Sequence, residues 1–144
     1  MRASSLILQS GSKVFESMLT TEMIEKSSQK IRVYADSVQD VDDMVYFLAT
    51  DILRKSANAL SVIRLAHFYE IDRLIMACLN RMLDSLTVDS FVEVVNTFDR
   101  YSIEHGYGTL VAFGQTHCKE IKVREDYNDL THCFKCIVLG AAKD

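Results

Sequence analysis

The stretch from Leu60 to Leu86 constrains the fold more than any other part of the chain. Ile71, Leu74, Ile75, Cys78, Leu79, Met82, Leu83 and Leu86 recur at spacings of three and four, which draws one broad apolar stripe down a helix. Asp72 stands where an N-cap carboxylate would accept the first free backbone N–H groups. Just upstream, Ile63, Leu65, Ala66 and Tyr69 mark a shorter helix ending near Glu70. So short a turn predicts that the two helices pack as an antiparallel pair. A stripe of this width needs partners on several sides, and the flanking segments must supply them.

On the N-terminal side, Leu6, Ile7 and Leu8 form one apolar group. Val14, Phe15, Met18 and Leu19 form a second at helical spacing, and Ser10-Gly11-Ser12 stands between the two. Ser12 is the expected N-cap of the second piece. A chain that starts this abruptly on an apolar helix is expected to be preceded by something. Residues 20–29 are polar and loop-like apart from Met23 and Ile24. Lys30-Ile31-Arg32-Val33-Tyr34 alternates polar and apolar residues, the period of a short strand with one buried face. Ser37 and Asp40 have capping-box spacing with Asp in place of Glu, and Val41, Met44, Val45 and Leu48 line the helix that follows. Arg54 to Asn58 is the next polar break.

Past Leu86, Thr87 is expected to cap a helix from Val88 to about Arg100, with Phe91, Val94, Val95 and Phe98 inward. A turn at Gly106-Tyr107-Gly108 leads into a helix from Thr109 to about Lys122 that carries Leu110, Val111, Phe113 and Ile121. Asp126 to Leu130 reads as a turn, and His132 to Ala142 as a last short helix. The chain has no proline, which suits a mostly helical fold. At 144 residues it can bury roughly two-thirds of its unfolded surface and needs no staple to hold a core.

A net charge of −4 without a cluster of Lys and Arg argues against nucleic acid and anionic membrane as partners. No segment is long enough to span a bilayer. Leu6-Ile7-Leu8 is too short an apolar run for a signal peptide. Cys78, Cys118, Cys133 and Cys136 are not spaced like a secreted disulfide framework, so the expected location is a reducing compartment, cytoplasmic or nuclear. Neither a nucleophile elbow nor a glycine-rich phosphate loop is present, and no catalytic residue, cofactor or small-molecule substrate is expected. Cys133 and Cys136 form a C-x-x-C pair that His117, Cys118 and His132 could complete as a zinc set. Core packing explains the same spacing in a helical segment, and the expectation is no metal.

Several of these pieces together resemble one family. Leu65-Ala66-His67-Phe68-Tyr69-Glu70-Ile71-Asp72-Arg73-Leu74, with Cys78 four residues on, resembles the central helices of the BTB/POZ domain. Ser12-Lys13-Val14-Phe15-Glu16-Ser17-Met18-Leu19 resembles that domain's early S-x-V-F-x-x-M-[LF] helix. Ile31-Arg32-Val33 sits where the family has its middle strand. Leu86-Thr87-Val88-Asp89-Ser90 resembles the L-[ST]-x-x-N that opens the helices after the domain. The resemblance implies an α/β, mostly helical BTB/POZ-like domain with a reduced sheet over residues 1–86, and a C-terminal helical extension over residues 87–144.

The family resemblance further implies a non-enzymatic protein-interaction module. Many members dimerise, with themselves or with other BTB proteins, and many recruit the ubiquitin ligase scaffold cullin-3. Cullin-binding members carry a hydrophobic-x-Glu motif in the loop before the middle strand, where this chain has Met23-Ile24-Glu25. An apolar anchor in a pocket with a carboxylate beside it is sound docking chemistry. Ser4 and Ser5 stand where the family has His and Lys, and the hairpin that precedes them in the family is missing, so the expected member is shortened or divergent, or an incomplete gene product. Phe47-Leu48-Ala49-Thr50-Asp51 replaces the usual Y-x-Y-T-G, and no MATH, Kelch or zinc-finger segment is recognised. Loss of the hairpin would uncover Leu6 and Leu8, which with Val14 and Met18 are the candidate dimer face. Phe15 is expected in the core.

Overall fold

The computed structural model describes residues 3–20, 30–101 and 103–135. The chain divides into two compact units, Met1–Asn80 and Arg81–Asp144. The first holds α1 (Ser5–Gly11), α2 (Lys13–Thr20), α3 (Val38–Thr50), α4 (Ala59–Phe68) and most of α5 (Asp72–Asp84), within which the division falls. The second holds α6 (Phe91–Arg100), α7 (Tyr107–Thr116), α8 (Cys118–Lys122) and a 3₁₀ helix, Glu125–Asp129. The fold is mostly helical, as the sequence predicts.

In the first unit the closely packed helix pairs are α1 with α2, α3 with α4, and α1 with α3. The last approach needs a small residue, because a Cβ on Gly11 would stand 2.2 Å from Leu48 Cδ2. Met44, Phe47 and Leu48 turn inward from α3 and Val62, Ile63, Leu65 and Ala66 from α4. The α5 stripe contributes Leu74, Cys78 and Leu79 to the buried set. Burying a set of this kind contributes about 1.5–3 kcal/mol per large aliphatic side chain, and it is this core, not helix propensity, that holds short helices together.

The helix ends follow from local chemistry. Ser37 Oγ accepts the Asp40 N–H at the start of α3, the predicted half of a capping box. The Asp40 carboxylate does not reach back, since it receives the Ser61 hydroxyl at 2.8 Å instead. Helix α3 closes at Asp51 (φ 59°), whose N–H bonds the Phe47 carbonyl. Helix α4 closes with Glu70 at φ 53°. The Ile71 N–H bonds back to Ala66 and the Glu70 N–H to His67, the two bonds of a Schellman motif, with Ile71 buried as its apolar lock.

Two expectations are corrected here. Asp72 is the first residue of α5 and not its N-cap; the Ile71 carbonyl accepts from Leu74 and Ile75 and so occupies the capping position. Residues 30–35 form no strand, and no strand occurs among the described residues. The period-two pattern is still visible: Ile31 and Val33 are half-buried and Lys30, Arg32 and Tyr34 exposed. A strand requires a ladder partner, and none is present among the described residues.

In the second unit, Thr87 and Ser90 bond each other reciprocally through side chains and backbone, making a turn that delays α6 to Phe91. Phe91, Val94, Val95 and Phe98 then face inward as predicted. Helix α7 begins at Tyr107, two residues earlier than expected, directly after Gly106 at φ 83°. The single helix expected through Lys122 breaks at His117. There the Thr116 hydroxyl bonds the Ala112 carbonyl and the His117 ring nitrogen lies 3.1 Å from the Phe113 carbonyl, back-bonding that bends helices. Residues 132–135 are helical.

Candidate interaction surface

The surface offered by the first unit is set by one buried node. Ser12, only 3% exposed, accepts the Phe15 N–H at 3.2 Å and so caps α2, while its own hydroxyl donates a short hydrogen bond to the Tyr69 carbonyl at the end of α4. The Phe15 ring stacks on the Tyr69 ring at 4.3 Å. Tyr69 is thus tied to the start of α2 twice, by the hydrogen bond from Ser12 to its carbonyl and by the stack of its ring on Phe15. Burial pushes the Tyr69 phenol above its ordinary value near 10, because the charged form would lose its water.

This node sets what α1 and α2 can present. Phe15 is core, as expected from sequence. Leu6 is 76% exposed on α1; Leu8, Val14 and Met18 are half-buried. The structure therefore leaves Leu6 as the most solvent-facing of the four candidates. Met23, Ile24 and Glu25 lie outside the described residues, between the end of α2 and the segment that starts at Lys30.

A shallow groove of about 290 Å³ runs between the segment Tyr34–Asp36 and α4, with Arg64, Leu65, Phe68 and Tyr69 on the helix side. Tyr34 and Phe68 are 80% and 66% exposed at its rim, and Arg64 pairs with Asp36 at 2.8 Å across it. The alternation of residues 30–34 contained the signal for this groove, but a sequence expected to be strand gave no reason to look for an open face.

Sequence reading also missed a charged network on α3. Asp43 is fully buried. Its Oδ1 takes a hydrogen bond from Gln39 at 3.0 Å and faces Arg54 at 3.4 Å, while its Oδ2 has no partner. Arg54 bonds Asp42 at 2.5 Å and lies over the Tyr46 ring, and the Asp42 hydrogen bond, ahead of its other charges, raises the guanidinium's already high pKa. This is a structural clamp between α3 and the following loop. Among the described residues no three His, Cys, Asp or Glu side chains are grouped to hold a metal; Cys136 lies outside them. No described helix is long and apolar enough to cross a membrane.

The sequence matches the BTB/POZ domain over residues 1–86. The chain belongs to the BTB/POZ family. A curated relative, the BTB and MATH domain-containing protein 40 of Caenorhabditis elegans, is 30% identical over 116 residues, 78% of this chain. The aligned part is 29% of that relative, so the chain spans under a third of its length. BTB/POZ domains are protein–protein interaction modules, and this BTB chain shows why two of its family-like stretches belong together. The residues of the Ser12–Leu19 stretch and those of Phe68-Tyr69-Glu70-Ile71 meet at the Ser12–Phe15–Tyr69 node, so they are one packing unit and not two motifs.

Proposed function

We propose that this BTB protein is a non-enzymatic adaptor that docks on the cullin-3 scaffold of a ubiquitin ligase, using Met23, Ile24 and Glu25 with the neighbouring helix surface. The observation that carries the reading is the sequence position of that tripeptide in a chain of this family, after the S-x-V-F-x-x-M-[LF]-like stretch and before Ile31-Arg32-Val33. An apolar side chain that fills a pocket with a carboxylate close by in sequence supplies anchor and orientation together. The similarity to a BTB and MATH domain-containing protein supports the adaptor class. Residues 1–86 would then be the docking module, residues 87–144 a helical extension, and the place of action the cytoplasm, the nucleus or both.

Calorimetric titration of the purified chain into the N-terminal region of cullin-3 tests this. Saturable binding that Glu25→Ala or Met23→Ala removes, with the helical circular dichroism unchanged, is the expected result. A folded chain that gives no heat sinks the adaptor reading. A second reading is then favoured by the exposure of Leu6 on α1: a dimerising scaffold or decoy that associates with itself or with other BTB proteins through Leu6, Leu8, Val14 and Met18. It predicts a concentration-dependent dimer that ignores Glu25→Ala and is weakened by Leu6→Glu.

A further inference from the structure

We draw no further inference here: the strongest candidate, the shallow groove between Tyr34–Asp36 and α4 with the Tyr34 and Phe68 rings exposed at its rim, is an unpartnered apolar face, and nothing in the structure shows what covers it.

Discussion

Replacing Ser12 by Ala removes one oxygen atom and should cost more than any other single-atom deletion on α1 or α2. Two contributions add. Loss of the α2 cap leaves the Phe15 N–H unsatisfied, typically about 1 kcal/mol. Loss of the hydroxyl leaves the Tyr69 carbonyl without this donor in a buried setting, worth about 1–3 kcal/mol. The expected destabilisation is therefore about 2–4 kcal/mol, which for a chain of this size lowers the thermal midpoint by roughly 7–13 °C. Two controls make the reasoning refutable. Ser10→Ala removes an exposed hydroxyl that bonds only the nearby Ile7 carbonyl, and should change stability by less than about 0.5 kcal/mol. Ser12→Gly keeps most of the capping, because glycine at the N-cap costs only about a few tenths of a kcal/mol, yet still loses the bond to Tyr69. It should fall between wild type and Ser12→Ala. Thermal melts followed by circular dichroism supply all three numbers. If Ser12→Ala melts with wild type, the node is not a stabilising element; if Ser12→Gly does, the bond to Tyr69 contributes nothing.

Gly106→Ala should destabilise the second unit by about 2–3 kcal/mol in a denaturant titration. The left-handed backbone disfavours a Cβ by about 1–2 kcal/mol, and that atom would also stand 2.5 Å from Leu83 Cδ1. Glu70→Gly should act in the opposite sense and stabilise the chain by about 0.5–1 kcal/mol, since Glu70 holds φ 53° at a Schellman position that glycine prefers; a loss of stability would show that its side chain matters more than its backbone. The Tyr69 and Tyr107 phenols should titrate above the ordinary value near 10 in an ultraviolet titration, both chiefly through burial and Tyr107 also through Asp99. A raised phenol pKa means that the folded state holds the proton more tightly, so this contribution to stability is intact below about pH 10 and is lost as pH rises through the folded values.

How much of this could be read in advance depended on the range of the interaction that decides each feature. The α5 stripe, the Ser12 and Ser37 caps and the inward face of α6 rest on contacts within a turn of the residues concerned, and sequence spacing carried them. The misplaced features were decided by residues far away in sequence. Asp40 left its capping box because Ser61 stands opposite it. Phe47, absent from the predicted face of α3, is buried along with Leu48, the residue that Gly11 lets α1 approach. The turn after Leu86 was misread for a local reason: Thr87 and Ser90 satisfy each other and defer the helix to Phe91. Of the candidate surface, Leu6 was legible as exposed. The groove was not, because alternation in residues 30–34 predicts a strand, whereas a strand is a property of two segments.

The contrast between the two faces of the first unit bears on what a module of this kind does. Most of its interior polar groups are committed: Ser12 to Phe15 and Tyr69, Asp40 to Ser37 and Ser61, Asp43 Oδ1 to Gln39 and Arg54. The Ser12–Tyr69, Ser61–Asp40 and Arg54–Asp43 contacts tie one element to another, so the core resists rearrangement. Around Lys30–Tyr34, by contrast, the described residues offer Lys30 and Arg32 no ion pair, and Tyr34 is exposed. Binding strength in such a module comes from surfaces held rigid before the partner arrives, because ordering them afterwards would cost about 0.5–1.5 kcal/mol per long side chain. The Ser12–Tyr69 node therefore has a functional consequence as well as a stabilising one. It fixes the end of α4, and with it the groove wall formed by Phe68 and Tyr69. A variant that loosens the node should shift the nuclear magnetic resonance signals of Phe68 and Tyr69 in the groove wall even though Ser12 lines no part of it.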